Sequence, residues 1–259
     1  MKRLLMIPDV KNLEKSLEVA KEYSLGFEYN DFYMPTVLDD RMKMQELLEV
    51  YKMSALPEYC TMHGAFFDVI PFSVDEKIKE VSILRIRQSI EAAKQIGAKA
   101  VVFHTNYNPF LNSEAYVRSW VKQNIAFWSS VLEHHKGIYI YLENMFDRTP
   151  DIMVELSEAL CKYENYGVCL DYAHAALSDV APEVWAERLG SFVKHIHIND
   201  NDLVSDLHLA WGNGKLNRAG FYKSYERFMK QATVLIETSS IENIKKSLAV
   251  LQEEGFLEE

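Results

Sequence analysis

Eight short apolar runs recur along this chain, each followed by a longer stretch of helical periodicity, at roughly 30 residues per unit. The runs are Arg3–Ile7, Gly26–Tyr29, Tyr59–His63, Ala100–His104, Ile138–Glu143, Gly167–Asp171, Val193–Ile198 and Thr233–Glu237. Several, such as AVVF and GVCL, are apolar without alternation, as parallel strands covered on both faces must be. Between the runs, Asp75–Gly97 places Ile83, Ile86, Ile90, Ala93 and Ile96 at steps of three and four, with Gly97 closing the helix. Ser113 to about Lys136 and Ser240–Glu254 read the same way. Eight strand–helix units predict an α/β fold, a (β/α)8 TIM barrel forming one domain over residues 1–259. An open doubly wound sheet is the competing arrangement. Two features favour closure: no GxGxxG follows the first run, and polar residues come from too many strands to share one site on an open sheet.

Bulk properties narrow the class. The 259 residues are 48% hydrophobic and 25% charged, a globular balance. A net charge of −10 argues against a broadly basic nucleic-acid surface. The three cysteines, Cys60, Cys161 and Cys169, have no paired spacing, which predicts no disulfide framework and three buried small hydrophobes. MKRLLMIPDV has too short an apolar segment for a secretory leader and reads as the first strand. No stretch reaches the roughly 20 apolar residues of a membrane span. These features give the expectation of a soluble, cytoplasmic protein; oligomeric state, including a homo-oligomer, is left open.

The chemistry lies where the runs end. Five of eight histidines, two glutamates and two aspartates sit there: His63, His104, Glu143, Asp171, His174, His197, Asp206, His208 and Glu237. Imidazole and carboxylate delivered strand after strand are what a divalent cation needs. Glu143, Asp171, His197 and Glu237 are the strongest four, because a carboxylate at the end of an apolar run is costly to bury alone. The competing reading satisfies each by separate rim hydrogen bonds. Asp171 and His174 form DxxH, with His174 expected in the loop beyond the strand. Asp206 and His208 form DxH in SDLHLAWGNGKLN, where an extended backbone would point both to one side and Gly212 and Gly214 would permit sharp turns. His63 and His104 each end an apolar strand, and a histidine so placed is, taken singly, more often a satisfied core residue than a ligand. His195 would lie one layer deeper than His197, as core or supporting it from behind. His134 and His135 end a helix whose dipole suits an imidazolium. Phe66, Phe67 and Trp211 are candidates to wall a pocket for a small ligand, and Met42, Met44 and Met53 to fill core space.

The ordered series HGAFF, VVFHT, YLENM, CLDYAH, HIHIND, DLHLAWGNG and IET resembles the xylose isomerase-like TIM-barrel superfamily, over roughly two-thirds of the chain from Tyr59 to Glu237. That group includes endonuclease IV-type repair enzymes (AP endonuclease family 2) and sugar-phosphate isomerases and epimerases. The repair-enzyme resemblance implies three zinc ions. His63, His104 and Glu143 would hold one; Glu143 would bridge to a second with Asp171, His197 and Glu237; His174, Asp206 and His208 would hold a third. The isomerase resemblance implies one divalent ion on Glu143, Asp171, His197 and Glu237, with the two glutamates moving the proton. The N-terminal third departs from the repair enzymes: IPDVKNLEK and GFEYNDFYMP offer little cationic surface for DNA beyond Lys11.

The expectation is therefore a metal-dependent isomerase or epimerase of a small sugar, sugar phosphate or related hydroxy-ketone, using one to three ions of Zn, Mn, Mg or Co type, with Glu143 and Glu237 catalytic and Phe66 and Trp211 against the substrate. The alternatives are a multi-zinc phosphoester hydrolase, with nucleic acid an unfavoured substrate, and a barrel that binds without chemistry.

Overall fold

The computed structural model describes residues 3–257. Its eight strands are β1 (Leu4–Met6), β2 (Gly26–Tyr29), β3 (Cys60–His63), β4 (Ala100–His104), β5 (Tyr139–Glu143), β6 (Tyr166–Asp171), β7 (Val193–Ile198) and β8 (Thr233–Ile236). Every neighbouring pair is parallel, and β8 returns to β1 with Leu5 opposite Leu235, closing the barrel in sequence order. Closure selects the (β/α)8 barrel over the open sheet, and each expected run lies on a strand with ends moved by at most a residue.

Alternation explains the unbroken apolar runs. On β4, Val101 and Phe103 join the large layer between strands and helices, while Ala100 and Val102 pack with Tyr141 and Cys169 inside the barrel. The same parity turns His104 inward. Register then sets heights: His104 pairs with Glu143, and Asp171 with His197, so donors from adjacent strands sit side by side. The helices follow their end signals. Asp75 accepts from Lys77 N to start Glu76–Ile96, Ser113 caps Glu114–His134, and Ser240 caps Ile241–Glu253.

Some expectations fail at the surface. Met42 and Met53 are 73% and 88% exposed, and only Met44 packs against the core. They lie on or just after the helix Arg41–Lys52, which buries only Leu48 and Tyr51. Cys161 is exposed at the end of the helix Asp151–Leu160, whereas Cys60 and Cys169 are buried. His134 fits a helix C-terminus, but burial and the Lys94 ammonium lower the His135 pKa, so the charged form is disfavoured there.

Candidate metal centre

The nine donors come together at the C-terminal mouth of the barrel around Glu143, which is completely buried at the end of β5. Its Oε2 lies 3.4 Å from both His63 Nε2 and His104 Nε2. Its Oε1 lies 3.4 Å from His197 Nδ1 and 3.5 Å from His174 Nδ1. His197 Nδ1 is also 3.5 Å from Glu237 Oε2, so one nitrogen faces both glutamates. Asp206 Oδ2 sits between His174 Nε2 at 3.3 Å and His208 Nε2 at 3.1 Å.

Four groups of donor atoms among the described residues are close enough to share an ion: His63, His104 and Glu143; Glu143, Asp171 and His197; His174, Asp206 and His208; and Cys169, His195 and His197. Neither oxygen of Glu143 has a hydrogen-bond partner. A buried carboxylate ringed by imidazoles at such distances, yet bonded to none, is poorly satisfied by protein alone and fits a cation. Donor chemistry agrees, since mixed imidazole and carboxylate oxygen suit zinc, manganese or cobalt.

Backbone carbonyls fix several of the rings. A carbonyl only accepts, so the nitrogen facing it carries the proton. His63 Nδ1 donates to Gly64 O (2.9 Å), His174 Nδ1 to Asn144 O (3.0 Å) and His208 Nδ1 to Glu237 O (3.3 Å). Each ring thereby turns Nε2 to its neighbours.

Charge is unevenly shared. Burial alone would raise the pKa of Glu143 and Glu237, but the His197 charge, with His104 beside Glu143 and His208 beside Glu237, outweighs it. Glu143 falls well below the carboxylate range and Glu237 to about 2. Asp171 goes the other way, to about 7, because burial and the nearby Glu237 and Glu143 charges exceed the help from His174. Burial works against charge on His174 and His208, yet neighbouring carboxylates (Asp171 and Asp206; Asp206 and Glu237) raise both, His208 to about 10. His104 is lowered by burial.

Local structure differs from the sequence expectation at two motifs. His174 lies in a short helix, Tyr172–Ala176, rather than a loop; the Asp171 carboxylate caps that helix by accepting from His174 N at 2.6 Å. The DxH segment is not extended: His208 has φ +45, a left-handed conformation that still brings Asp206 and His208 together. Asp200 anchors this loop, accepting from Gly212 N and Leu216 N and pairing its backbone with Leu209. Gly212 adopts φ +94, and a Cβ on Gly214 would lie 2.3 Å from Asn201 O, so both positions exclude side chains for different reasons.

The two aromatic expectations separate. Phe66 lies over the donors, with its ring 5.0 Å from His63 and 4.9 Å from His104, and continues into Tyr33 and Phe67. Trp211 does not line the mouth. It is fully buried against Phe221 and donates Nε1–H to Tyr222 OH, because the loop turns its side chain outward to the helix Arg218–Ser224.

Three residues escaped sequence reasoning. Asn144 exchanges two hydrogen bonds with the Asp171 backbone, and Asn199 Nδ2 reaches Asp171 Oδ2 (3.4 Å) and Glu237 Oε2 (3.3 Å). Glu28, completely buried on β2, touches both His195 and His197. The available signal was Glu28 alone between aromatics in GFEY, at the inward parity of its strand.

These features define a closed barrel with a candidate metal site at its mouth, and comparison places the chain in a family of that kind. A model described as the xylose isomerase-like TIM barrel family matches residues 17–254, and the chain belongs to that family. It is 28% identical over 221 residues to an uncharacterised protein of Methanocaldococcus jannaschii, MJ1311, covering 81% of this chain and 73% of that protein. Among solved structures, the TTHB071 protein of Thermus thermophilus, soaked with zinc chloride, superposes with TM-score 0.76 at 22% identity, covering 100% of both chains. A D-tagatose 3-epimerase-like protein superposes with TM-score 0.75 at 25% identity, covering 98% of this chain and 96% of that one. Sugar epimerases occur among the structural neighbours, and one further neighbour was solved with a bound zinc atom. No helix among the described residues is long and apolar enough to cross a membrane.

Proposed function

We propose that this protein is a divalent-metal-dependent isomerase or epimerase of a small sugar or sugar phosphate. The observation that carries the reading is the placement of two buried glutamates at one imidazole nitrogen, with Glu143 Oε1 at 3.4 Å and Glu237 Oε2 at 3.5 Å from His197 Nδ1. Glu143, Asp171, His197 and Glu237 would hold the ion. When bound, a divalent cation supplies Lewis acidity, polarising a carbonyl beside a hydroxyl and stabilising the charge that builds as the adjacent C–H bond breaks.

The side chains do the rest. One glutamate takes the proton from the carbon α to the carbonyl, the electron pair passing through an enediolate. That carboxyl, now protonated, returns the proton to the neighbouring carbon in an isomerisation. In an epimerisation the other glutamate first takes a proton from water and delivers it to the opposite face, and the first releases its proton to water. Their low pKa values keep both available as acceptors. His174 and His208, held protonated by their carboxylate neighbours, place positive charge beside the substrate's hydroxyl or phosphate oxygens. Phe66 offers an apolar face to the sugar's C–H edge, and Asn199 steadies Asp171 and Glu237 from behind.

The test incubates purified protein with a panel of ketoses and their phosphates in deuterated water, following exchange at the carbon α to the carbonyl. Metal content is measured on the same sample. Exchange with one ion per chain supports the proposal. The third donor group, His174, Asp206 and His208, favours a second reading, a multi-zinc phosphoester hydrolase. Two or three zinc ions per chain, with incision of abasic-site DNA and no ketose exchange, would establish that reading instead.

A further inference from the structure

Among the ring nitrogens that face the mouth, His197 presents the opposite edge. His63, His174 and His208 donate Nδ1–H to carbonyls, whereas His197 turns Nδ1 toward Glu143 and Glu237 and Nε2 down into the barrel. Beneath it stands a buried polar column. The Thr233 hydroxyl donates to His195 Nδ1 (2.6 Å), His195 Nε2 donates to Glu28 Oε2 (3.1 Å), and the Thr61 hydroxyl donates to the same oxygen (2.6 Å). Two donors fill Oε2, leaving Oε1. Glu28 Oε1 and His197 Nε2 lie 3.1 Å apart, off hydrogen-bond alignment, and neither has a hydrogen-bond partner. A carboxylate can only accept, so the nitrogen beside it carries the proton.

We propose that Glu28 is a positioning residue of the metal centre: from beneath, its carboxylate fixes the His197 tautomer with the proton on Nε2, leaving Nδ1 as the atom offered to the cation. Thr61 and His195 hold that carboxylate in place. The role presupposes the metal site proposed above but not its sugar chemistry, since it is read on zinc binding alone.

The test uses the full chain labelled with 15N-histidine and loaded with zinc. Long-range proton–nitrogen spectra of the wild type should show His197 protonated at Nε2 and metal-bound at Nδ1. Competition with a chelator should show Glu28→Gln binding one zinc equivalent about 10–100-fold more weakly, the usual cost of losing a partner behind a ligand. Thr61→Val, which removes one of the two donors on Glu28 Oε2 but keeps the carboxylate, should weaken zinc binding in the same direction and by less than Glu28→Gln does. A proton on Nδ1 of zinc-bound His197, or wild-type affinity in Glu28→Gln, overturns the inference. So does a cobalt-loaded protein with a thiolate charge-transfer band, which would mean that Cys169, His195 and His197 hold an ion from below. If the wild type binds zinc as described yet exchanges no ketose, the sugar proposal fails and Glu28 keeps its role.

Discussion

Glu237→Gln separates holding the ion from moving the proton. The amide keeps the side chain's shape and one donor oxygen, but loses the charge that faces His197 and His208. If metal affinity falls about tenfold, the low end of the range for a perturbed site, the change is calculable. At free ion equal to 100 times the wild-type dissociation constant, binding stabilises the wild type by about 2.7 kcal/mol and the variant by about 1.4 kcal/mol. For a chain of this size the lost ~1.3 kcal/mol lowers the metal-dependent rise in Tm by about 3–5 °C. Calorimetry with and without chelator reads that shift. Raising the metal tenfold should restore it, while α-proton exchange should stay about 10²–10⁴-fold below wild type, the usual contribution of a positioned base. Exchange that returns fully with added metal would refute Glu237 as a proton carrier and leave it a ligand only.

Other outcomes follow from the same geometry. His208→Ala should leave one tightly held ion in place and weaken substrate binding; loss of an ion together with phosphodiester cleavage would favour the hydrolase. Trp211→Phe should destabilise the protein by about 0.5–1.5 kcal/mol through the lost bond to Tyr222 OH, which keeps its bond to Glu254, with KM unchanged, whereas Phe66→Ala should raise KM. In the metal-free protein, Asp171 near 7 and His208 near 10 both bind protons more tightly folded than unfolded. Its stability should therefore fall as pH rises from about 4 to 7 through Asp171, and from about 6.5 to 10 through His208. Zinc affinity should rise with pH over the first window, because binding displaces the Asp171 proton, as titration at several pH values would show. Gly214→Ala should disturb the Asp206–His208 loop, since its methyl group meets backbone that cannot yield.

The barrel was legible because parallel strands buried on both faces leave contiguous apolar runs, and because strand ends share one face once the sheet closes. That made Glu143, Asp171, His197 and Glu237 readable from position alone. Glu28 was not, since its importance depends on β2 standing across the barrel from β7, a relation between distant segments that periodicity does not carry. Trp211 was misplaced because a loop's turning sense is set by Asp200 and two glycines rather than by the residues beside it. Met42 and Met53 were misjudged because a helix on a barrel's outside buries only one stripe.

The strand that completes the ring, β8, is the last of the eight in chain order. Until it is synthesised, β1 and β7 keep bare flanks whose free amides and carbonyls invite pairing with other chains. Sequences as sticky as AVVFH and GVCL must wait in that open form until the eighth strand emerges. Losing β8 would thus leave the protein in that open, aggregation-prone form, whatever became of its chemistry.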